Sequence, residues 1–236
     1  MLFRSGRARV TPGAALCVYC CERPGSTRDH VPPKCLFPAD VSDLIRVPSC
    51  PACNGGFSKD DEYFRNMLAM NASSKDAKAT PFTFDSLMRA IERPEARGMA
   101  SAISESLYRA DLITDAGLYA GTVDVYRLDQ DRLERVVERI GRALFWHHSG
   151  RALSPDVNTW ATAAWGFPKI PPAAQAGFAE AAAKLPRPLY ELAGGAFKYG
   201  GIWGDSDQSA WMMEFHRGVG YVVRTGPAKT AKGFKS

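Results

Sequence analysis

Cys17-Val-Tyr-Cys20, Arg28-Asp29-His30-Val31-Pro32-Pro33 and Cys50-Pro-Ala-Cys53-Asn54 carry the reading of this chain. Two cysteines separated by two residues can place both sulfurs on one metal at about 2.3 Å, and two such pairs complete a closed, tetrahedral zinc site. Cys17, Cys20, Cys50 and Cys53 are therefore expected to bind one structural zinc. The 29 residues between Cys20 and Cys50 exceed the roughly 15–20 of a simple zinc ribbon. An Asp-His pair sits in that surplus, so the zinc would staple the two ends of a functional insert. On an extended segment Asp29 and His30 point to opposite faces. One can hold a cation while the other activates a water.

Working outward, the order is CxxC, Asp29-His30-Val-Pro-Pro, the short apolar run Leu44-Ile-Arg-Val-Pro48, CxxC with Asn54, and Lys59. This string resembles the HNH endonucleases, the ββα-metal nucleases, in the subgroup with a four-cysteine zinc site. The resemblance spans residues 14–72. It implies that Asp29 ligates a catalytic divalent metal and that His30 is the general base. Most of the family carries His directly after the last Cys, where this chain has Asn54. An Asn carbonyl oxygen can ligate a hard cation, and phage junction-resolving relatives use Asn there. The family's middle Asn braces the loop between the two strands; Asp43 stands nearest to that place.

Composition sets the outer bounds. The 236 residues are 45% hydrophobic and 23% charged, the profile of an ordinary soluble chain long enough for one large or two small domains. No apolar run approaches the ~20 residues needed to cross a membrane, and the basic N-terminus lacks a signal-peptide apolar stretch. A cytoplasmic protein is the expectation, and there CxxC pairs read as metal ligands rather than disulfides. The net charge of +5 permits a polyanionic partner without requiring one. Cys21 reads as a bystander, because adjacent residues direct their side chains apart, and Cys35 as a small buried residue.

The expected fold class is α+β: an N-terminal zinc-stapled ββα-metal core, then a helical region and a small C-terminal antiparallel sheet. Residues 1–13 form a flexible basic arm, 14–72 the core, 73–226 a region of unassigned role, and 227–236 a mobile basic tail. Strands are expected at Thr27–Val31 and Leu44–Val47, then a helix over 59–71 with Ser58 as its N-cap. Asp60, Asp61 and Glu62 would complement the helix dipole. A polar linker follows at 71–80, with helices at 84–91 and 96–110 and a strand at 118–128. Residues 129–148 are the clearest helix, with Leu133, Val136, Val137, Ile140, Leu144 and Phe145 on one stripe. His147 and His148 complement its C-terminal end. An Ala-rich helix is expected at 171–184, and strands at 196–203, 210–216 and 218–224.

The resemblance implies phosphodiester hydrolysis, with double-stranded DNA as the favoured substrate. His30 would take a proton from water, and Asp29 and Asn54 would hold magnesium or manganese, which suit an oxygen-rich site. Many nucleases of this type act as homodimers, because cutting two strands needs two sites. Two rival readings remain at this point. One is a zinc-dependent nucleic-acid-binding module without catalysis; the other is a scaffold with a decayed nuclease core.

Overall fold

The computed structural model describes residues 15–93, 97–114, 116–166 and 189–227, with scattered positions of 173–183. The expected arm at 1–13, most of the helix at 171–184 and the tail beyond Pro227 lie outside the described residues. The chain is mixed α+β.

β1 (Thr27–Val31) and β2 (Ile45–Ser49) form a two-stranded antiparallel ribbon. Asp29 lies opposite Val47 and His30 opposite Arg46. Val31, Ile45 and Val47 are buried while Arg28 and Arg46 are exposed, so the period of two sorts the ribbon into an inner and an outer face. Pro33 leads into a short turn at Lys34–Leu36.

The helical part begins earlier than expected. α1 (Pro51–Gly56) starts with Pro at its first turn, where a missing N–H is harmless, and Cys50 caps it through its sulfur. Phe57 then separates it from α2 (Ser58–Met70). Ser58 is not the cap; its hydroxyl donates to the Gly55 carbonyl at 3.0 Å. The preceding helix already occupies the place a capping turn would need.

The polar stretch at 71–80 is no free linker. Asp76 is buried and accepts from the N–H groups of Lys78 and Ala79 at 3.0 and 2.8 Å. It thereby starts α3 (Ala79–Ile91) five residues before its expected beginning. Lys75 and Asp76 also donate their N–H groups to the His216 carbonyl. α4 (Arg97–Ser106) stops short of the expected helix end at 110. Leu107–Ile113 forms β3 instead, paired with β4 (Tyr119–Tyr126). Tertiary pairing overrides a segment with no local helix breaker.

α5 (Gln130–Ser149) is capped by Asp129, which accepts from Arg132 N–H, and closed by Gly150 at φ 77°. Its apolar stripe is buried as expected. The helix touches α2 and both ribbon strands on one side and the large sheet on the other. Gly141 allows that approach, because a Cβ there would stand 2.5 Å from Val223.

The large sheet has five antiparallel strands in the order β5-β9-β8-β7-β6. β7 (Phe197–Trp203), β8 (Ser209–Phe215) and β9 (Val219–Gly226) are the expected three-stranded meander. β5 (Asn158–Trp165) and β6 (Tyr190–Leu192) add an edge on either side. One hydrophobic cluster runs from Val31 and Phe64 through Ile140 to Phe215 and Tyr221, so the core continues across residues 72 and 73.

Candidate metal centre

The sulfurs of Cys17, Cys20, Cys50 and Cys53 all lie within 4.8 Å of one another. A tetrahedron of ligands at 2.3 Å has edges of about 3.8 Å, so a small inward adjustment would close it on zinc. All four are free thiols, Cys17 and Cys50 buried and the other two half-buried. Two tight turns bring them together. In the first, Cys21 N–H donates to the Cys17 carbonyl; in the second, Cys53 N–H donates to the Cys50 sulfur at 3.4 Å. Burial opposes ionisation of Cys20, but hydrogen bonds from the backbone of Glu22 and Arg23 outweigh it and bring the thiol down to about 6. Arg23 also reaches the Cys53 sulfur at 3.7 Å. Backbone donors and a cation favour thiolates at Cys20 and Cys50, whereas burial beside the other sulfurs raises Cys53. Four sulfurs so placed could hold a metal ion such as zinc, whose charge favours thiolate at each.

The centre is wired to the ribbon by the second of the two residues between its first cysteines. Tyr19 donates its hydroxyl to Oδ2 of Asp29 at 2.7 Å. Burial raises the Tyr19 phenol, and the neighbouring Asp29 charge raises it further. Tyr19 meets Phe57 edge to face at 5.3 Å, and the Arg139 guanidinium lies 4.3 Å from the Phe57 ring. Arg139 pairs with Asp61. Burial nonetheless lifts the Asp61 carboxyl to about 6, with the Arg139 charge pulling down and Asp29 pushing up.

Asn54 donates its side-chain amide to Thr27 Oγ1 at 3.2 Å. Thr27 and Asp29 stand two residues apart on one strand and so share a face, about 6.6 Å from Cα to Cα. The structure thus puts Asn54 and Asp29 on the same side of β1. His30 is on the other side, opposite Arg46. Arg28 shares that outer face, and Lys34 follows the strand. Burial lowers the His30 pKa, Arg46 and Lys34 lower it further, and Asp29 opposes them.

Asp43 directs its carboxylate to the Ala193 N–H, at 3.0 and 3.1 Å for its two oxygens. It ties the β1–β2 loop to the turn before β7 rather than bracing that loop from within. Two of the three acids at the start of α2 do more than face a dipole. Asp60 pairs with Arg132 and Arg135, both at 2.8 Å, and with Asp61 it joins α2 to α5. Cys21 donates to the Leu153 carbonyl, and Cys35 packs near the Asp61 carbonyl. His148 is enclosed by Tyr190, Tyr199, Trp203 and Trp211, with Nε2 3.1 Å from the Tyr199 hydroxyl. Among the described residues the four cysteines are the one group of three or more His, Cys, Asp or Glu side chains close enough together to share a metal ion.

Sequence reasoning passed over Tyr19, Arg139 and the cationic outer face. The last was legible in principle, since Arg28, His30 and Arg46 follow from alternation on paired strands. Arg139 was not, because nothing local marks which arginine of α5 meets α2. No protein-family model, curated protein or solved structure matches this chain. No helix among the described residues is long and apolar enough to cross a membrane.

Proposed function

We propose that this protein is a metal-dependent endonuclease of the HNH type that hydrolyses phosphodiester bonds, with double-stranded DNA as its favoured substrate. The observation that carries the reading is the placement around β1. His30 stands among Arg28, Lys34 and Arg46, while Asp29 and Asn54 share the opposite face beside the four-cysteine cluster. Arg28, Lys34 and Arg46 supply the positive charge that phosphate binding needs. Their charges also favour a neutral imidazole, the form that accepts a proton.

Tyr19 engages Oδ2 of Asp29 and leaves Oδ1 available, and the Asn54 amide that donates to Thr27 leaves its carbonyl oxygen available. These two oxygens suit a hard cation. Magnesium or manganese held there would supply Lewis-acid neutralisation of the phosphate charge and help to the leaving oxygen. His30 takes a proton from the attacking water as its oxygen forms the new bond to phosphorus. The bond from phosphorus to the 3′ oxygen breaks, and that oxygen is protonated from solvent. The four-cysteine cluster has no part in these steps; it holds α1, and therefore Asn54, against β1.

The test is incubation with supercoiled plasmid, single-stranded DNA and RNA, with magnesium or manganese and with chelator. Chelator-sensitive nicking or linearisation of the plasmid is expected. Binding without cleavage in either metal would instead favour a zinc-dependent nucleic-acid-binding module, which the same cationic face would serve.

A further inference from the structure

The β3–β4 ribbon is the part of the described chain that buries least. Every residue of β3 except Ala110 is exposed, and Leu112, Ile113, Leu118 and Tyr119 are exposed at 49%, 52%, 67% and 63%. An isolated two-stranded hairpin is marginal in water, and soluble monomers rarely leave such apolar surface uncovered. Leu107 and Tyr108, the other large apolar residues of β3, are likewise about half exposed. Among the described residues β3 pairs with β4 alone, so its second edge presents unpaired N–H and C=O groups.

The sequence of that edge says what fits it. β3 reads Leu107-Tyr108-Arg109-Ala110-Asp111-Leu112-Ile113, which is complementary to itself when reversed. We propose that β3 pairs antiparallel with β3 of a second copy, on a two-fold axis through Ala110. Arg109 then lies opposite Asp111 of the other copy, and Asp111 opposite its Arg109. Tyr108 lies opposite Leu112, and Leu107 opposite Ile113. Opposite charges and apolar pairs directly across an antiparallel ladder are each favourable. The product is a four-stranded sheet with β4 at both outer edges. Tyr108, Ala110 and Leu112 of the two copies form one apolar row, flanked by Val123 and Val125. β4 offers no such match, because its only charged residue is Asp124. The isologous geometry needs no residue besides this ribbon, and it is independent of the nuclease reading.

Sedimentation equilibrium of the full chain tests the pairing. Dimer is expected at about 10 µM wild type, a range typical of modest interfaces. Arg109→Asp places Asp against Asp111 of the other copy, besides removing the ion pair of Arg109 with Asp124 on β4 of its own chain, and Asp111→Arg places Arg against Arg109; each alone should weaken association about tenfold or more. An equimolar mixture of the two variants should form the dimer again, because the all-acidic strand then meets the all-basic one. Ala110→Cys should form an interchain disulfide on mild oxidation, since directly opposed Cα atoms stand about 4.5–5.5 Å apart. Thr122→Cys, on the outer strand, should not. A monomeric wild type overturns the proposal. So does a dimer indifferent to both charge variants, or a mixture that stays monomeric while each variant keeps its far-ultraviolet circular dichroism.

Discussion

Arg139 of α5 closes an ion pair on Asp61 of α2, 78 residues earlier, with its guanidinium over the Phe57 ring. The arginine is 6% exposed and the carboxylate 16%. The pair sits beside Tyr19 and so links α5 to the cysteine cluster and to Asp29.

Removing one partner of that pair leaves the other charge stranded. Arg139→Ala should destabilise the fold by about 3 kcal/mol, the low end for breaking a buried pair. Asp61→Asn should cost less, because burial already pushes its carboxyl up to about 6 and so disfavours its charge. Urea unfolding of both single variants and the double variant gives the coupling energy. Additive costs would show that the two groups do not sense one another.

The four cysteines make a claim about composition. Purified protein should carry one equivalent of zinc, and Cys53→Ser should lose it. Stripping the metal with chelator should lower thermal stability sharply, because structural zinc sites of this kind supply roughly 10–16 kcal/mol of apparent binding energy. Folded protein with less than half an equivalent of any transition metal would refute the assignment.

Three substitutions separate the roles proposed around β1. His30→Ala should retain fold and DNA binding while lowering turnover by about 10²–10⁴-fold. Asp29→Ala should raise the magnesium or manganese concentration needed for activity. Asn54→His should keep activity, since imidazole stands at that place in most of the family the motif resembles. Plasmid cleavage rates across a metal titration read all three, and a His30→Ala protein cleaving at the wild-type rate removes the mechanism.

Glu138 provides a stability prediction with a sign. Burial raises its carboxyl from an ordinary 4.5 to about 7, with the neighbouring Glu134 adding to the rise. The folded chain therefore keeps a proton that the unfolded chain has released between about pH 4.5 and 7. Stability from this group is full at low pH and is lost as pH rises through that window. Glu138→Gln should leave stability nearly unchanged at pH 4 and raise it by about 1–2 kcal/mol at pH 8. Denaturation at the two pH values decides it; an equal effect at both would sink the idea.

What the sequence determined by itself is local. β1 falls at Thr27–Val31 as expected, and α5 falls within one residue of its expected ends. Both are written in short-range signals: alternation bounded by Pro32-Pro33, and an apolar stripe between Asp129 and Gly150. The cysteine spacing likewise predicted a four-sulfur cluster, because two residues between ligands is itself a geometry. Tertiary structure decided the rest. Leu107–Ile113 became a strand because β4 lies beside it, and residues 71–80 became ordered because Asp76 meets Arg217 and the backbone near His216. The attachments of Tyr19 to Asp29 and of Arg139 to Asp61 join segments whose separation in sequence carries no period. Which side chains meet there depends on how α5 lies between ribbon and sheet, and that is set by burial of the whole apolar stripe rather than by any residue near the contact.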